Sequence, residues 1–509
     1  MISQAQEHLE QFQEKLPELE ILNPMTGEVI GTVPNSTREM VAAAVERARA
    51  AQPAWSAVPV KERCKILKRF SDLVMQNQER LVQVIRQENG KFRGGAVAET
   101  LGVSLVTDYY CKHAANWLKP EKRSPLARGL YAARVYHKPL GVAGNISPWN
   151  YPFFLSHIDM IPALIAGNVV VVKPSEITPY SCMEGAKLMR EAGLPENVFQ
   201  VVTGDGQTGD ALIDYVDCIA FTGSTAIGRK VGVRAAHRLI PFSLELGGND
   251  PMIVLRDADI DKAAANAISA GFENTGQACV SIERVLVEAP IYEEFLEAMK
   301  KWHAKLKIGV EDSLDIHIGS LTNRRELERT EAHIQDAVAK GARLVVGGKR
   351  MSELGPLFHE ATIVADLTAD MDLMKDETFG CLIGVTSVKD ADEAIRVANS
   401  TSYGLSGSVW SRDIRKAEQV ATQLDCGDVS INAAFLAWGT PSVEMGGQRD
   451  SGLGRRGGKQ GLFKYTAPQS IVIDRFPMTP DAPTLYTNKI LTLLKLNRVL
   501  GKIFPFLAP

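Results

Sequence analysis

Along the chain, short runs of β-branched apolar residues alternate with longer stretches whose apolar positions recur at helical spacing. The run NVVVVKP (168–174) has no polar alternation and ends in a polar turn, which predicts a strand buried on both faces of a parallel sheet. TPYSCMEGAKLMREAGLP follows, opening on a threonine and closing on Gly-Leu-Pro, the start and stop signals of a helix. Strand VFQVVTG, a helix through DALID, strand CIAFTG and helix STAIGRKVGVRAAH continue the pattern. Wiring of this kind predicts a doubly wound parallel sheet. The alternation restarts near residue 280 with SIERVLVEAPIYEEFLEAMKKWHAKL, which predicts a second α/β unit. Two alternating stretches stand apart, GLYAARVYHKP (129–139) and APQSIVIDRF (467–476), and predict an antiparallel flap away from the main sheets. No internal repeat or low-complexity segment interrupts this order.

At 509 residues the chain is too long for one hydrophobic core and predicts two or three domains. A composition of 45% hydrophobic and 23% charged residues is that of an ordinary globular protein. The formal net charge of -3 argues against a nucleic-acid surface. MISQAQEHLEQFQEKL, at the N-terminus, is polar and acidic, unlike a signal peptide, and no apolar run reaches the roughly 18 residues that span a bilayer. Seven cysteines (Cys64, Cys111, Cys182, Cys218, Cys279, Cys381 and Cys426) are scattered and form no CxxC, which suits a reducing compartment and offers neither a zinc site nor a disulfide framework. The expectation is a cytoplasmic protein without a metal.

Two glycine patterns compete for a phosphate. Gly204-x-Gly206-x-x-Gly209 lies between a strand and a helix, as a dinucleotide fingerprint does. Downstream, Gly223 ends a strand and Ser224 opens the next helix, whose free N–H groups are also suited to an anion. Pattern alone leaves both open. Cys279 raises a second question. It sits in GFENTGQACVSIER, among small, polar and charged residues, whereas a lone cysteine is ordinarily a small buried thiol. Three other stretches also place polar or glycine residues at junctions of apolar segments: PWNYP (148–152), LELGGND (244–250) and ETFG (377–380). In this order, between NPMTGEVI (23–30) and GLGRRGGKQGLFKYT (452–466), they resemble the aldehyde dehydrogenase superfamily over nearly the whole chain, nearest its succinate-semialdehyde dehydrogenase-like branch.

That resemblance implies an α/β fold of two doubly wound Rossmann-type domains plus an antiparallel oligomerisation flap. The NAD-binding domain would take residues 1–121 and 140–247, the catalytic domain 248–450, the flap 122–139 and 464–478, and a C-terminal amphipathic extension 479–509. Oxidising an aldehyde to an acid needs a nucleophile that turns the carbonyl into a tetrahedral hydride donor, and a thiolate also gives a labile thioester. The resemblance assigns this to Cys279, the oxyanion donor to Asn150 and the general base to Glu245, whose leucine neighbours should raise its pKa. Cofactor contacts carry over to Ile146, Trp149, Lys173, Ser175, Glu176, Gly206, Gly209, Gly223, Ser224, Glu377 and Phe379. The family places the pyrophosphate at Ser224, with Gly206 and Gly209 on the adenine side. A carboxylate at Glu176 accepts from ribose hydroxyls and repels a 2′-phosphate, favouring NAD, with NADP as the alternative. Cys381 stands where many relatives have proline after Phe-Gly, a departure that loosens the turn holding Glu377 and Phe379.

For the substrate, the expected lining is Tyr151, Leu155, Ile158, Glu273 and the loop NAAFLAWG with Phe435 and Trp438. Most of these are apolar, which points to a lipophilic, long aliphatic or aromatic aldehyde. Succinate semialdehyde is the alternative, although Glu273 stands where that branch tends to place an arginine for the distal carboxylate. Exposed flap edges predict a homodimer or homotetramer. LYTNKILTLLKLNRVLGKIFPFLAP (485–509) winds into a helix with Leu493, Leu496, Val499, Leu500 and Ile503 on one face and Lys495, Arg498 and Lys502 on another. It either packs on protein or lies peripherally in a membrane interface.

Overall fold

The computed structural model describes residues 17–125 and 131–475, together with Lys495, Arg498 and Val499. Val169–Lys173 is the expected strand, buried at every position between the parallel strands Val142–Ile146 and Phe199–Val201. Its β-branched side chains fill both faces, which only a sheet covered on both sides can accept. Beyond Val142–Ile146 lie Cys218–Thr222 and Phe242–Glu245, also parallel, and then the short antiparallel strand Gly452–Leu453, giving a six-stranded sheet. Four N-terminal helices, Arg38–Ala57, Val60–Gln76, Gln78–Asn89 and Arg93–Trp117, share one core with this sheet. Thr37 caps the first of them by accepting from the Met40 N–H at 3.4 Å.

A second sheet of seven strands runs, in spatial order, Arg343–Val346, Thr362–Ala365, Leu382–Val388, Ile282–Glu288, Asp250–Val254, Ser406–Trp410 and Asp428–Ile431. All neighbours are parallel except the edge strand Arg343–Val346. The doubly wound architecture expected from the alternation is therefore present twice. The flap is a separate three-stranded antiparallel sheet of Thr466–Asp474, Tyr131–Pro139 and Glu121–Arg123. Ile471, Val472 and Ile473 are all exposed, so both faces of its edge strand meet solvent.

Two elements depart from the reading of the pattern. VFQVVTG yields only the three-residue strand Phe199–Val201. After the second sheet the chain returns to the first through Gly452–Leu453 and the helix Gln460–Phe463, a return for which a boundary at 450 makes no provision. A two-residue strand has no periodicity to detect, and Gly452 holds φ at 135°. The basic amphipathic segment lies outside the described residues, apart from Lys495, Arg498 and Val499. Among the described residues, no helix is long and apolar enough to cross a membrane.

Arg284, buried in the second sheet, ties that sheet to the turn after Glu245. Its Nε and Nη2 donate to the Asn249 carbonyl at 3.0 and 2.8 Å, and its Nη1 and Nη2 donate to the Val397 and Ala398 carbonyls at 3.0 Å each. Arg284→Met would strand these three carbonyls, and denaturant unfolding should show a loss of about 3 kcal/mol or more.

Candidate active site

Cys279 stands after a strained loop. Asn274, Thr275 and Gly276 hold φ of 49°, 61° and 78° in succession, a left-handed turn that a β-branched threonine adopts only under constraint. Side chains supply the constraint. Asn274 Nδ2 donates to the Asn150 carbonyl at 2.9 Å, Gln277 Nε2 donates to the Asn274 carbonyl at 3.1 Å, and Gln277 Oε1 accepts from the Thr322 N–H at 2.9 Å. Gly276 lies so close to the Gly380 carbonyl that a Cβ there would overlap it, which seats the cysteine loop on the turn after Phe379.

Asn150 is buried, and its Nδ2 donates to the Gln277 carbonyl at 2.9 Å. Its own carbonyl accepts from Lys91 Nζ at 2.8 Å. Lys91 is fully buried, 2.5 Å from Glu99 and 3.9 Å from the centre of the Tyr151 ring. The second oxygen of Glu99 accepts from the Phe153 and Phe154 N–H groups at 3.0 and 2.9 Å, holding the first turn of the helix Pro152–His157. Sequence reasoning missed this pair. Its trace is a lysine and a glutamate eight residues apart in a stretch rich in glycine and alanine, NGKFRGGAVAETLG.

Glu245 ends the strand Phe242–Glu245, buried, with Oε1 lacking a hydrogen-bond partner among the described residues. Burial pushes its carboxyl up to about 7, against the opposing pull of Arg456 and Lys464. Glu377 accepts from the Gly248 N–H at 2.9 Å, and burial pushes it up to about 8. Burial also raises the Cys279 thiol. Arg456 opposes that rise, while Glu377, Asp250 and Glu245 add to it.

Two cavities of about 360 Å³ each meet at Cys279, which lines both. Every residue expected at the cofactor lines one of them: Ile146, Trp149, Lys173, Ser175, Glu176, Gly206, Gly209, Gly223, Ser224, Glu377 and Phe379. Arg325 and Arg329, which the sequence reading did not single out, also face it. The two helix N-termini on this wall differ. Asp205 caps Gly206–Tyr215, its carboxylate accepting from the Gln207 N–H at 2.8 Å, so an anion there would meet a like charge. Ser224 makes no side-chain cap on Thr225–His237, and Ser224 and Ile227 at this helix terminus line the cavity, a terminus suited to an anion. Lys173 Nζ lies 3.1 Å from Glu176, whose carboxylate is half exposed. Open walls, an uncapped helix terminus and an available carboxylate fit a dinucleotide.

Tyr151, Glu273, Phe435 and Trp438 line the other cavity. Leu155 and Ile158 do not. Leu155, on the helix Pro152–His157, packs in the first core, and Ile158, just past its end, borders a separate cavity of about 30 Å³. Phe154 takes the place expected of Leu155, and the opposite wall is the helix Arg93–Trp117 with Leu101 and Leu105. Their signal in the sequence is apolar recurrence at 98, 101, 102, 105 and 106, one helical stripe.

The sequence model of the aldehyde dehydrogenase family matches residues 12–471. The chain belongs to the aldehyde dehydrogenase family. As a member it is an NAD(P)-dependent oxidoreductase acting on an aldehyde. A protein of Mycobacterium ulcerans, named provisionally as an NADP-dependent succinate-semialdehyde dehydrogenase, is 41% identical over 92% of each chain. The 4,4'-diapolycopene aldehyde oxidase of a Methylomonas species is 38% identical over 90% of this chain and 87% of its own. The crystal structure of succinate-semialdehyde dehydrogenase from Burkholderia pseudomallei superposes with a TM-score of 0.87 at 36% identity, covering 90% of this aldehyde dehydrogenase and 95% of that chain.

Because the Gly380 carbonyl occupies the space of a side chain at Gly276, and because φ there is positive, Gly276→Ala should disable the enzyme. Strain of about 2 kcal/mol or more predicts a lower melting temperature, and displacement of Cys279 predicts at least about tenfold less NADH formation in a steady-state assay.

Proposed function

We propose that Cys279 is the nucleophile of this aldehyde dehydrogenase, and the observation that carries the reading is its position where the two cavities meet. An aldehyde entering past Leu101, Leu105 and Trp438 brings its carbonyl carbon to Sγ. Asn150 Nδ2 uses one N–H on the Gln277 carbonyl, which leaves the other, with the backbone N–H of Cys279, for the developing oxyanion. NAD(P)+, when bound, supplies the hydride acceptor. Trp149 and Phe379, edge to face with ring centres 5.4 Å apart, wall its cleft beside Glu377, and the N-terminus at Ser224 takes the pyrophosphate. Glu245 then removes a proton from the water that cleaves the thioester, its unpartnered Oε1 being the acceptor. An acyl-CoA-forming reaction would leave this base without a task.

The base works deprotonated. With its carboxyl at about 7, turnover should therefore rise with pH through that value. A kcat–pH profile checks this, and Glu245→Gln should abolish the rise.

The cavity lining favours an aldehyde with an uncharged tail. Besides Cys279 its ionisable groups are Glu99, Tyr151 and Glu273, with no arginine or lysine among the lining residues. Tyr151 Oη donates to Glu273 at 3.5 Å, and burial raises the Glu273 carboxyl, so the pocket presents acids and apolar walls, neither of which grips a carboxylate tail. The Methylomonas relative's name, that of an aldehyde of a hydrocarbon, agrees with this. Succinate semialdehyde is the second reading, and the names of the mycobacterial and Burkholderia relatives favour it over the first. NADH formation across short, long and aromatic aldehydes and succinate semialdehyde, with a Cys279→Ala control, separates the two. An uncharged tail predicts the highest kcat/KM on long or aromatic aldehydes. It also predicts that Glu273→Arg raises kcat/KM for succinate semialdehyde by about tenfold or more, one charge-assisted bond's worth. If wild-type enzyme prefers succinate semialdehyde, the second reading stands. Glu176 supports NAD as the preferred cofactor, against the NADP in the mycobacterial name.

The flap belongs to the same reading: its outermost strand Thr466–Asp474, which exposes Ile471, Val472 and Ile473, would join a second copy in a homodimer or dimer of dimers.

A further inference from the structure

The charge of one cation, Arg456, acts on both Cys279 and Glu245. Arg456 lies just after the Gly452–Leu453 strand and is 8% exposed. Its backbone N–H and carbonyl both bond to Met445 at 2.7 Å. Met445 packs with Val280 and Cys279 in a small apolar cluster. Next to it, a Cβ on Gly446 would stand 3.0 Å from Glu245 Oε1, the oxygen without a partner. The Met445–Arg456 bridge thus sets the Arg456 backbone against the residue that packs on Cys279, and Thr222, which holds the guanidinium, pairs in register with Glu245.

The guanidinium is also held from behind. Its Nε and Nη2 donate to Asp159 Oδ2 at 3.1 and 2.5 Å, and Nη2 donates to Thr222 Oγ1 at 3.0 Å. Lys464 Nζ donates to the other Asp159 oxygen at 2.8 Å and to Ser243 Oγ at 3.4 Å. One carboxylate thus faces two cations, and the triad carries a positive charge that Asp159 does not compensate. The groups acting on Arg456 are Asp159, Glu245 and Cys279, and the phenols Tyr110 and Tyr465 lie within its field. On Cys279 the carboxyls of Glu377, Asp250 and Glu245 oppose ionisation, and Arg456 favours the thiolate. A thiol surrounded by acids needs such a charge to become a nucleophile near neutral pH.

We propose that Arg456, anchored by Asp159 and Lys464, is a positioning residue whose charge keeps Cys279 ready to ionise and Glu245 ready to accept a proton. The proposal rests on the roles assigned to those two residues, but its test does not use aldehyde turnover as the primary readout. The rate of Cys279 alkylation by iodoacetamide is measured against pH in the full-length protein, with the modified peptide identified by mass spectrometry. Arg456→Gln should slow alkylation at pH 7 by about tenfold or more and move its inflection to higher pH. Arg456→Lys, which keeps the charge, should stay near wild type. Asp159→Asn frees the guanidinium's charge and should move the inflection the other way, to lower pH. Damaged packing would move the Gln and Asn variants in the same direction. The acidic limb of kcat should follow Glu245 upward in Arg456→Gln. An alkylation profile unchanged in Arg456→Gln, or slowed alike in Arg456→Gln and Asp159→Asn, overturns the proposal. If Arg456→Gln does not fold, Asp159→Asn decides alone, and unchanged or slower alkylation there has the same consequence. Loss of the catalytic reading would appear differently, as aldehyde turnover surviving in Cys279→Ala.

Discussion

The geometry around Cys279 depends on the buried contact between Lys91 and Glu99. The lysine holds the Asn150 carbonyl from one side while Asn274 holds it from the other, and Glu99 fixes the two N–H groups that follow Tyr151. Burial pushes the Glu99 carboxyl up and the Lys91 ammonium down, and each partner counters the other's shift. Removing one partner would leave a charge in the core, a penalty of about 3–5 kcal/mol, so the pair enforces one arrangement of the Pro-Trp-Asn-Tyr-Pro turn. That turn and the left-handed turn at Asn274–Gly276 then set Asn150 and Cys279 against each other.

Electrostatics does the rest. Four acids, Asp159, Glu245, Asp250 and Glu283, lie buried around the site, and three of them have different fates. Glu283 accepts from the Thr378 and Phe379 N–H groups at 2.8 Å, so it shapes the turn at the cofactor cavity. Asp159 is held well below the usual carboxylate range by Arg456 and Lys464, against its own burial. Glu245 keeps an unpaired oxygen and a carboxyl at about 7, which is the condition of a base. Different environments divide like side chains between structural and chemical work.

How much of this the sequence discloses follows from the length scale of each feature. Val169–Lys173 and Thr225–His237 are long enough to carry a period, so both were legible, as was the flap pairing of Tyr131–Pro139 with Thr466–Asp474. The residues that the resemblance assigns to the cofactor share one cavity wall, and the two glycine motifs on it differ by a cap, Asp205, that pattern alone does not reveal. Leu155 and Ile158 were misplaced because proximity to Asn150 in sequence says nothing about where the helix Pro152–His157 and the residue after it send their side chains. Lys91, Glu99 and Arg456 escaped because an ordinary charged residue becomes unusual only when tertiary structure buries it.

The central claim is that Cys279 carries the acyl group between oxidation and hydrolysis. It is tested most directly by mixing Glu245→Gln enzyme with NAD+ and a reactive aldehyde, quenching in acid, and reading the peptide containing Cys279 by mass spectrometry. A stoichiometric burst of NADH with the acyl mass on Cys279 is the predicted result, since the thioester forms but cannot be hydrolysed. NADH formation with Cys279 unmodified, or with the acyl group on another residue, would contradict the account.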